Sequence, residues 1–472
     1  MRKSIYLFFT SIVIFYSCSN EVQLETSLEN KEVITNSNRL TKEDATNVLL
    51  SYLNNHTQLR SSSPILNILD CKTKNASDYG DVKVSTRSTI GKDEDEDIPI
   101  YEFTISEDGN KTGFALVVGD RRFDEVIAYA PYGSLADTVF NEGLRLFTSS
   151  IPKMIEEVVR EESNPSEMQT RSDYYQPEQS SSYYYDSDIS TLVSRVYSES
   201  EFNAIWSKLV VYTYDNGTKF VGEWDEFVNP CSLVAVQWHQ EAPYNDNVEM
   251  LCSNKRGKIG CGVVAIAQIM AYHRQPASYN WSLIKSAPQI LPTNANYANG
   301  SCKEVAKLMI DIATKANITY KCVDGKSSGG INSYNVVPTL QSLGYSANYA
   351  FDRREKVSVD TLYNNLVKGQ PVIIECEYVY NSENIKLNAG HMWVIDGLYR
   401  KSRNRYTFSA TTEWTGKRFW EIEKWRQNFA QSHNNWGWGG SSDGWYHLFT
   451  PVNEGYTFKG FGLFTQIKYK GK

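Results

Sequence analysis

The sequence predicts an α+β chain of two unlike halves, on three observations: its length, the placement of its tryptophans, and an order of helices and strands with no repeating βαβ unit. At 472 residues the chain exceeds a single domain of about 100–200 residues. All eleven tryptophans lie after residue 205, so the halves differ in composition. Beyond residue 236 a helix-rich part comes first and strands dominate from residue 371, an α+β order. The 48 Lys+Arg stand against 55 Asp+Glu, a net charge of −7, with 41% hydrophobic residues. That balance excludes a disordered acidic tail and a basic nucleic-acid binder.

The chain opens with Arg2 and Lys3, an apolar run over residues 5–16 and Ser17-Cys18-Ser19. The run is short of the about 20 apolar residues that a spanning helix needs. A basic flank, a short apolar core and a small residue at its end read as an export signal. Cys18 resembles the acylation site of a bacterial lipoprotein, although Phe15 and Tyr16 are bulkier than that pattern usually holds. An ordinary secretory signal ending at a cysteine is the alternative. Either reading takes the chain out of the cytoplasm, to the outer membrane or cell surface on a lipid anchor, or into the medium after processing.

Residues 1–18 are thus the signal and 19–40 a polar tether. An N-terminal domain follows over 41–171. Thr41-Lys42-Glu43-Asp44 caps a helical pattern through Ala45, Val48, Leu49 and Leu53, because a threonine before an acidic first turn satisfies unpaired N–H groups. The acidic run 93–97 lacks the alternation of a calcium loop and reads as solvated. Residues 100–103, 113–118 and 127–130 read as strands, and Ile151, Met154, Ile155 and Val158 mark a helix. Residues 172–230 are assigned to a linker and activation region, on the polar, aperiodic stretch 172–190. Residues 231–472 form the C-terminal domain.

Of eight cysteines, seven remain if Cys18 carries lipid, and an odd count leaves at least one thiol unpaired. No spacing is CxxC, so no structural zinc is expected. Gly260-Cys261-Gly262 opens an apolar helical stretch over 263–273 that Pro276 closes. A cysteine there meets free N–H groups and the positive end of the helix dipole, which favour a thiolate. A buried inert cysteine or half of a disulfide is the plain alternative.

A nucleophilic cysteine needs an imidazole. His273 is twelve residues along the same helix, about 18 Å away at 1.5 Å per residue, and cannot serve. His391 begins a short alternating strand with Trp393 and Ile395 on its own face. His433 is the rival. Next come Asn435, Trp436 and a glycine- and tryptophan-rich run to Tyr446, a composition suited to close backbone approach beside flat walls. Asn435 is placed to orient an imidazole and Trp436 to stack on it. The order is Cys261, a histidine 130 residues on (391 minus 261) and an asparagine 44 beyond (435 minus 391), as in papain-like sites.

GCGVVAIAQIM, GHMWVIDG and NWGWGGSSDGWYHL, in that order, resemble the signature blocks of the streptopain-like cysteine peptidases. WHQEAPYN ahead of the cysteine, Ser327-Ser328-Gly329-Gly330 and Leu343-Gly344-Tyr345 are similar to the same family, and GFALVVGDRRFDEVIAYAPYGSL resembles its inhibitory prodomain. The resemblance covers most of residues 40–470. It implies a papain-like cysteine peptidase catalytic domain preceded by a smaller α+β prodomain that blocks the site until the linker is cut. It implies Cys261 as nucleophile, His391 as base, and Asn435 and Trp436 as the residues that orient or shield it. Ser327, Ser328, Gly329 and Gly390 fall on the substrate cleft. No metal or organic cofactor is implied; the partners are protein or peptide substrates and the chain's own prodomain, with the membrane met only through the anchor.

Two departures stand out. Residues 398–434 span 37 positions (434 minus 397) where the family has a short hairpin. Lys255 occupies the position six before the cysteine, where papain-type enzymes hold an oxyanion glutamine. Gln240 is the substitute candidate, and a structural role for it is as well supported. The competing function is a surface lipoprotein that binds glycan or host protein on its 31 tyrosines and its tryptophans.

Overall fold

The computed structural model describes residues 34–35, 39–57, 66–79, 97–107, 111–121, 123, 126–163, 192–196, 199–214, 217–228, 232–252, 255–323, 326–351, 359–380, 386–388, 390–412, 418–448 and 457–471. Cys18, Cys231, the stretch 172–190 and residues 93–96 of the acidic run lie outside them.

The N-terminal domain starts with helix α1 (Lys42–Thr57). Thr41 and Asp44 cap it reciprocally, the Thr41 N–H and hydroxyl reaching the Asp44 carboxylate at 3.0 and 2.8 Å. Ala45, Leu49 and Leu53 turn inward onto a sheet. That sheet is an antiparallel meander of β1 (Leu66–Asn75), β2 (Pro99–Glu107), β3 (Lys111–Val118) and β4 (Val126–Ala130). Helix α2 (Glu142–Ser163) follows. Strand β1 was not read from the sequence: Asp70, Lys72 and Lys74 interrupt it, and only pairing with β2 makes it a strand.

The assignment of 172–230 to a linker needs correction over its second half. Strand β5 (Leu192–Val196), helix α3 (Glu199–Trp206), β6 (Val210–Tyr214) and β7 (Gly217–Val228) are regular elements there. Phe202, Trp206 and Leu209 of this stretch form a small core with Ile422. Burying these large apolar side chains supplies the driving force that a solvated linker lacks.

The C-terminal domain has a helical side and a sheet. Helix α4 (Cys261–His273) packs against α5 (Ser301–Lys315), followed by a hairpin of β8 (Thr319–Val323) and β9 (Lys326–Gly330) and helix α6 (Ser333–Ser342). The sheet contains β10 (Tyr345–Phe351), β11 (Val372–Tyr380), β12 (His391–Thr412), β13 (Arg418–Asn435), β14 (Gly444–His447) and β15 (Thr457–Tyr469). The insertion 398–434 is the long hairpin made by β12 and β13, whose far reaches pair with β7 and β5. A Cys252–Cys322 disulfide closes a sequence separation of 70. By chain-entropy reasoning such a loop is worth about 4 kcal/mol.

Alternation along β12 gives the sheet two cores. Met392 and Val394 pack with the α4 side, whereas Trp393 and Ile395 pack with Leu144, Phe147 and Ile151 of α2. The N-terminal domain also extends the sheet, since β4 pairs with β14 through Tyr129 opposite Trp445 and Ala128 opposite Tyr446. The two domains therefore share one sheet and two apolar clusters, and the cluster with Trp393 and Ile395 lies over the start of β12.

Candidate active site

Cys261 is the first residue of α4. Gly260 before it has φ +104°, and a Cβ there would sit 2.9 Å from the Gly329 carbonyl oxygen, so a residue with a side chain is excluded by both space and backbone conformation. No side chain caps the helix. The N–H groups of Met392, Gly262 and Cys261 itself hydrogen-bond toward the thiol and favour its ionised form, but enclosure by the surroundings and then the Glu142 carboxylate push the thiol up to about 11. The thiol is therefore protonated at neutral pH in this closed form.

The His391 ring is 3% exposed and stacks on Trp393, with centroids 5.9 Å apart and an interplanar angle of 13°. Its Nε2 lies 3.0 Å from the Trp436 carbonyl oxygen. A carbonyl only accepts, so Nε2 carries the proton and Nδ1 of the neutral ring is left with a lone pair. Nδ1 faces Glu142 Oε2 at 3.9 Å. Burial lowers the His391 pKa; Glu142 and the bond to Trp436 oppose it, and Arg145 and Lys258 add to it. Because the residue after His391 supplies an N–H to Cys261, thiol and imidazole belong to one small region between α4 and β12.

Asn435 makes no hydrogen bond to the imidazole. Its Oδ1 accepts from Gln268 Nε2 at 2.7 Å, and its Nδ2 donates to the Val236 carbonyl at 2.8 Å. The acceptor that holds His391 is the backbone of the next residue. Trp436 is anchored in turn, its N–H donating to Asp443 Oδ1 and its indole N–H to the Ser442 carbonyl, each at 2.9 Å. Burial pushes Asp443 up to about 7, against the Trp436 N–H. The rival His433 is committed elsewhere: its Nδ1 is 2.6 Å from Asp396 Oδ1, while Asp396 Oδ2 accepts the Val234 N–H at 2.7 Å.

Gln240 is buried, and its carbonyl accepts the Ile259 N–H at 2.9 Å, two residues before Cys261. Ser327 and Ser328 lie on β9, their side chains outside the described part, and Gly329 brings its carbonyl against Gly260. Gly390 is exposed beside His391. Among the described residues no group of His, Cys, Asp or Glu is placed to hold a metal ion.

The N-terminal domain closes the site with the start of α2. Asn141 Oδ1 caps the helix by accepting the Leu144 N–H at 3.0 Å, which sends Glu142 toward His391. Glu142 Oε2 is buried with no hydrogen-bond partner. A Cβ at Gly143 would collide with the Trp436 ring and stand 3.0 Å from His391 Cδ2. Upstream, the Tyr132 carbonyl accepts the Ser442 N–H at 2.8 Å, Asp137 accepts from the Ser441 and Ser442 hydroxyls, and Phe140 meets Trp438 edge-on at 5.7 Å. Sequence reasoning missed Glu142 and Gln268. Asn141-Glu142 reads as an ordinary helix start; only Gln268, a lone amide in an apolar run, carries a local signal.

A thiol at a helix start, an imidazole anchored on a carbonyl at a sheet edge and a separate N-terminal domain over both define a covered thiol–imidazole site on an α+β body. Residues 238–446 match the Peptidase C10 family and residues 37–155 match the Spi protease inhibitor family. The chain is thus similar to streptopain-like peptidases of the C10 family over its C-terminal part and to the Spi protease inhibitors over its N-terminal part. It is 25% identical to streptopain of Streptococcus pyogenes over 252 residues, 45% of this chain and 53% of that protein. It thus spans about half the length of the streptopains it matches. A prointerpain A fragment of Prevotella intermedia aligns over 79% of this chain and 96% of its own at 16% identity, TM-score 0.43. Active interpain A of the same organism aligns over 51% and 95% at 20% identity, TM-score 0.35.

Proposed function

We propose that the chain is an exported cysteine endopeptidase made as a zymogen, with Cys261 as nucleophile and His391 as general acid and base. The observation that carries the reading is the closed site itself. A helix-start thiol and a carbonyl-anchored imidazole share one region, and a carboxylate from the inhibitor-like domain faces both. Removing that domain takes away the Glu142 charge, one of the two causes that raise the thiol above its ordinary value. The thiol then passes its proton to His391 Nδ1, giving thiolate and imidazolium.

The thiolate attacks the scissile carbonyl carbon, and the peptide C–N bond breaks as His391 gives its proton to the leaving amine. The acyl group stays on sulfur as a thioester. Water, losing a proton to His391, then releases the acid and restores the thiol. The N–H groups at the start of α4 are oriented to stabilise negative charge, and Gln240 is the further candidate for the oxyanion. Ser327, Ser328, Gly329 and Gly390 line the substrate side of this reading. Export rests on the N-terminal apolar run with Cys18 as its lipid anchor, and a disulfide at Cys252–Cys322 suits an oxidising compartment.

Parallel alanine variants test the assignment. Cys261→Ala and His391→Ala should each abolish peptide hydrolysis and self-processing, while His433→Ala should retain both. Loss confined to His433→Ala would overturn the choice of base, and hydrolysis by Cys261→Ala would overturn the choice of nucleophile.

A further inference from the structure

We infer that Gln268 is a positioning residue of this site, acting through Asn435 on the turn that holds His391; the inference rests on the reading that Cys261 and His391 are the reacting pair. Gln268 lies seven residues after Cys261 on α4. Positions i, i+3 and i+7 share a helix face, so Cys261, Val264 and Gln268 form one stripe. That stripe runs beneath the turn 435–437. Val264 Cγ1 is 3.2 Å from where a Cβ on Gly437 would stand, and Gln268 Nε2 donates to Asn435 Oδ1 at 2.7 Å. The same oxygen accepts the Gly437 N–H at 3.3 Å, and the other end of the Asn435 amide donates to Val236. Between Asn435 and Gly437 sits Trp436, whose carbonyl takes the proton side of His391.

Gln268 is out of place as a core residue. Residues 262–271 of α4 are all buried, and it is their one polar side chain, with no exposure. Its Oε1 is buried with no hydrogen-bond partner, so the amide is not there to complete a saturated network, and a methionine would fill the same volume without an orphaned acceptor. What the amide adds is one directed N–H. That N–H fixes which way the Asn435 amide points and ties the helix bearing the sulfur to the turn that aims the imidazole. The spacing of the reacting pair is therefore set from two turns below the sulfur, by a residue that touches neither substrate nor the reacting atoms.

The test compares wild type, Gln268→Met and Gln268→Glu as full-length chains cut between the domains by an added, unrelated protease and freed of the N-terminal domain. Steady-state peptide hydrolysis and the pH dependence of iodoacetamide labelling at Cys261 are measured on each. Gln268→Met should lower kcat on the order of tenfold or more with KM little changed, and should move half-maximal labelling to higher pH. Gln268→Glu, whose carboxyl donates only when protonated, should recover activity toward acid pH relative to Gln268→Met. A folded Gln268→Met with the wild-type kcat and labelling profile overturns the inference. Should that variant not fold, a Gln268→Glu with wild-type kcat at about pH 8, where a carboxyl is normally ionised, does so instead. If wild type hydrolyses nothing, the peptidase reading fails while the labelling profile still decides the role of Gln268.

Discussion

The turn 435–443 has two sides, held by different parts of the chain. Its inner side is held by the C-terminal domain: Gln268 and Val236 on Asn435, Trp238 accepting the Gly439 N–H at 2.9 Å, and His239 edge-on to Trp438 at 5.3 Å. Its outer side is held by the inhibitor-like domain through Tyr132, Asp137, Phe140 and Gly143. The inner contacts lie within one domain, whereas the outer ones depend on the N-terminal domain being docked. The turn that anchors His391 is thus the one the N-terminal domain grips, so in the proposed function latency and catalytic geometry meet in a single turn.

Breaking the comparison at its centre should have the largest effect. Cys261→Ala leaves both sides of the turn intact and removes the proposed nucleophile, so hydrolysis by the matured form should fall to background while its melting temperature changes little. Retained turnover would contradict the assignment.

Breaking the outer side comes next. Gly143→Leu forces a side chain into the Trp436 ring and against His391. Overpacking of this kind costs about 1–3 kcal/mol, which in a docked domain appears as opening. The precursor should process itself about tenfold faster or more, as followed by gel densitometry. Unchanged or slower processing would show that the start of α2 does not set latency.

Acid should loosen the closed form. His447, which lines the pocket under α2, is lowered to about 3 by burial, and burial also lowers His391, His239 and His273. A histidine whose folded pKa lies below its unfolded value of about 6.5 gives stability that is full above that value and is lost as pH falls. Asp443, raised to about 7 by burial, acts oppositely, binding a proton in the folded state first and adding stability as pH drops toward its unfolded pKa. Four groups oppose one. The melting temperature of the Cys261→Ala precursor should therefore fall from about pH 7 to about pH 5, with the enclosed His447 and His391 each contributing at most about 1.4 kcal/mol per pH unit. A flat or rising profile in calorimetry would contradict this.

The smallest effect is expected at the rim. Asp137→Ala removes the acceptor for Ser441 and Ser442. With about 1 kcal/mol for a partly exposed hydrogen bond, processing should quicken only a few-fold. An effect larger than that of Gly143→Leu would invert the ranking of the two contacts.

Much of this was legible in the sequence where the determinant is local. Thr41 and Asp44 announce the start of α1, Gly260-Cys261-Gly262 announces the start of α4, and the alternation after His391 places Trp393 and Ile395 on one face, as packing shows. What was not legible depends on partners distant in the chain. Asn435 reads as an imidazole-orienting amide by its place in the order, but its partners are Gln268 and Val236, and the backbone of Trp436 takes that position. Residues 192–228 read as a linker because their regularity is completed by the β12–β13 hairpin and the small core around Ile422. Glu142 looks like any helix-start acid until the shared sheet carries it to His391.

The central claim is that Cys261 is the reactive thiol and that the N-terminal domain keeps it silent. The most direct measurement is iodoacetamide labelling near neutral pH, read by mass spectrometry at Cys71, Cys261, Cys302 and Cys376 before and after a protease cuts between the domains. The account predicts that Cys261 is unlabelled in the intact precursor and becomes the fastest-reacting of the four once the N-terminal domain is released. Labelling of Cys261 no faster than that of Cys302 or Cys376 after release would contradict it.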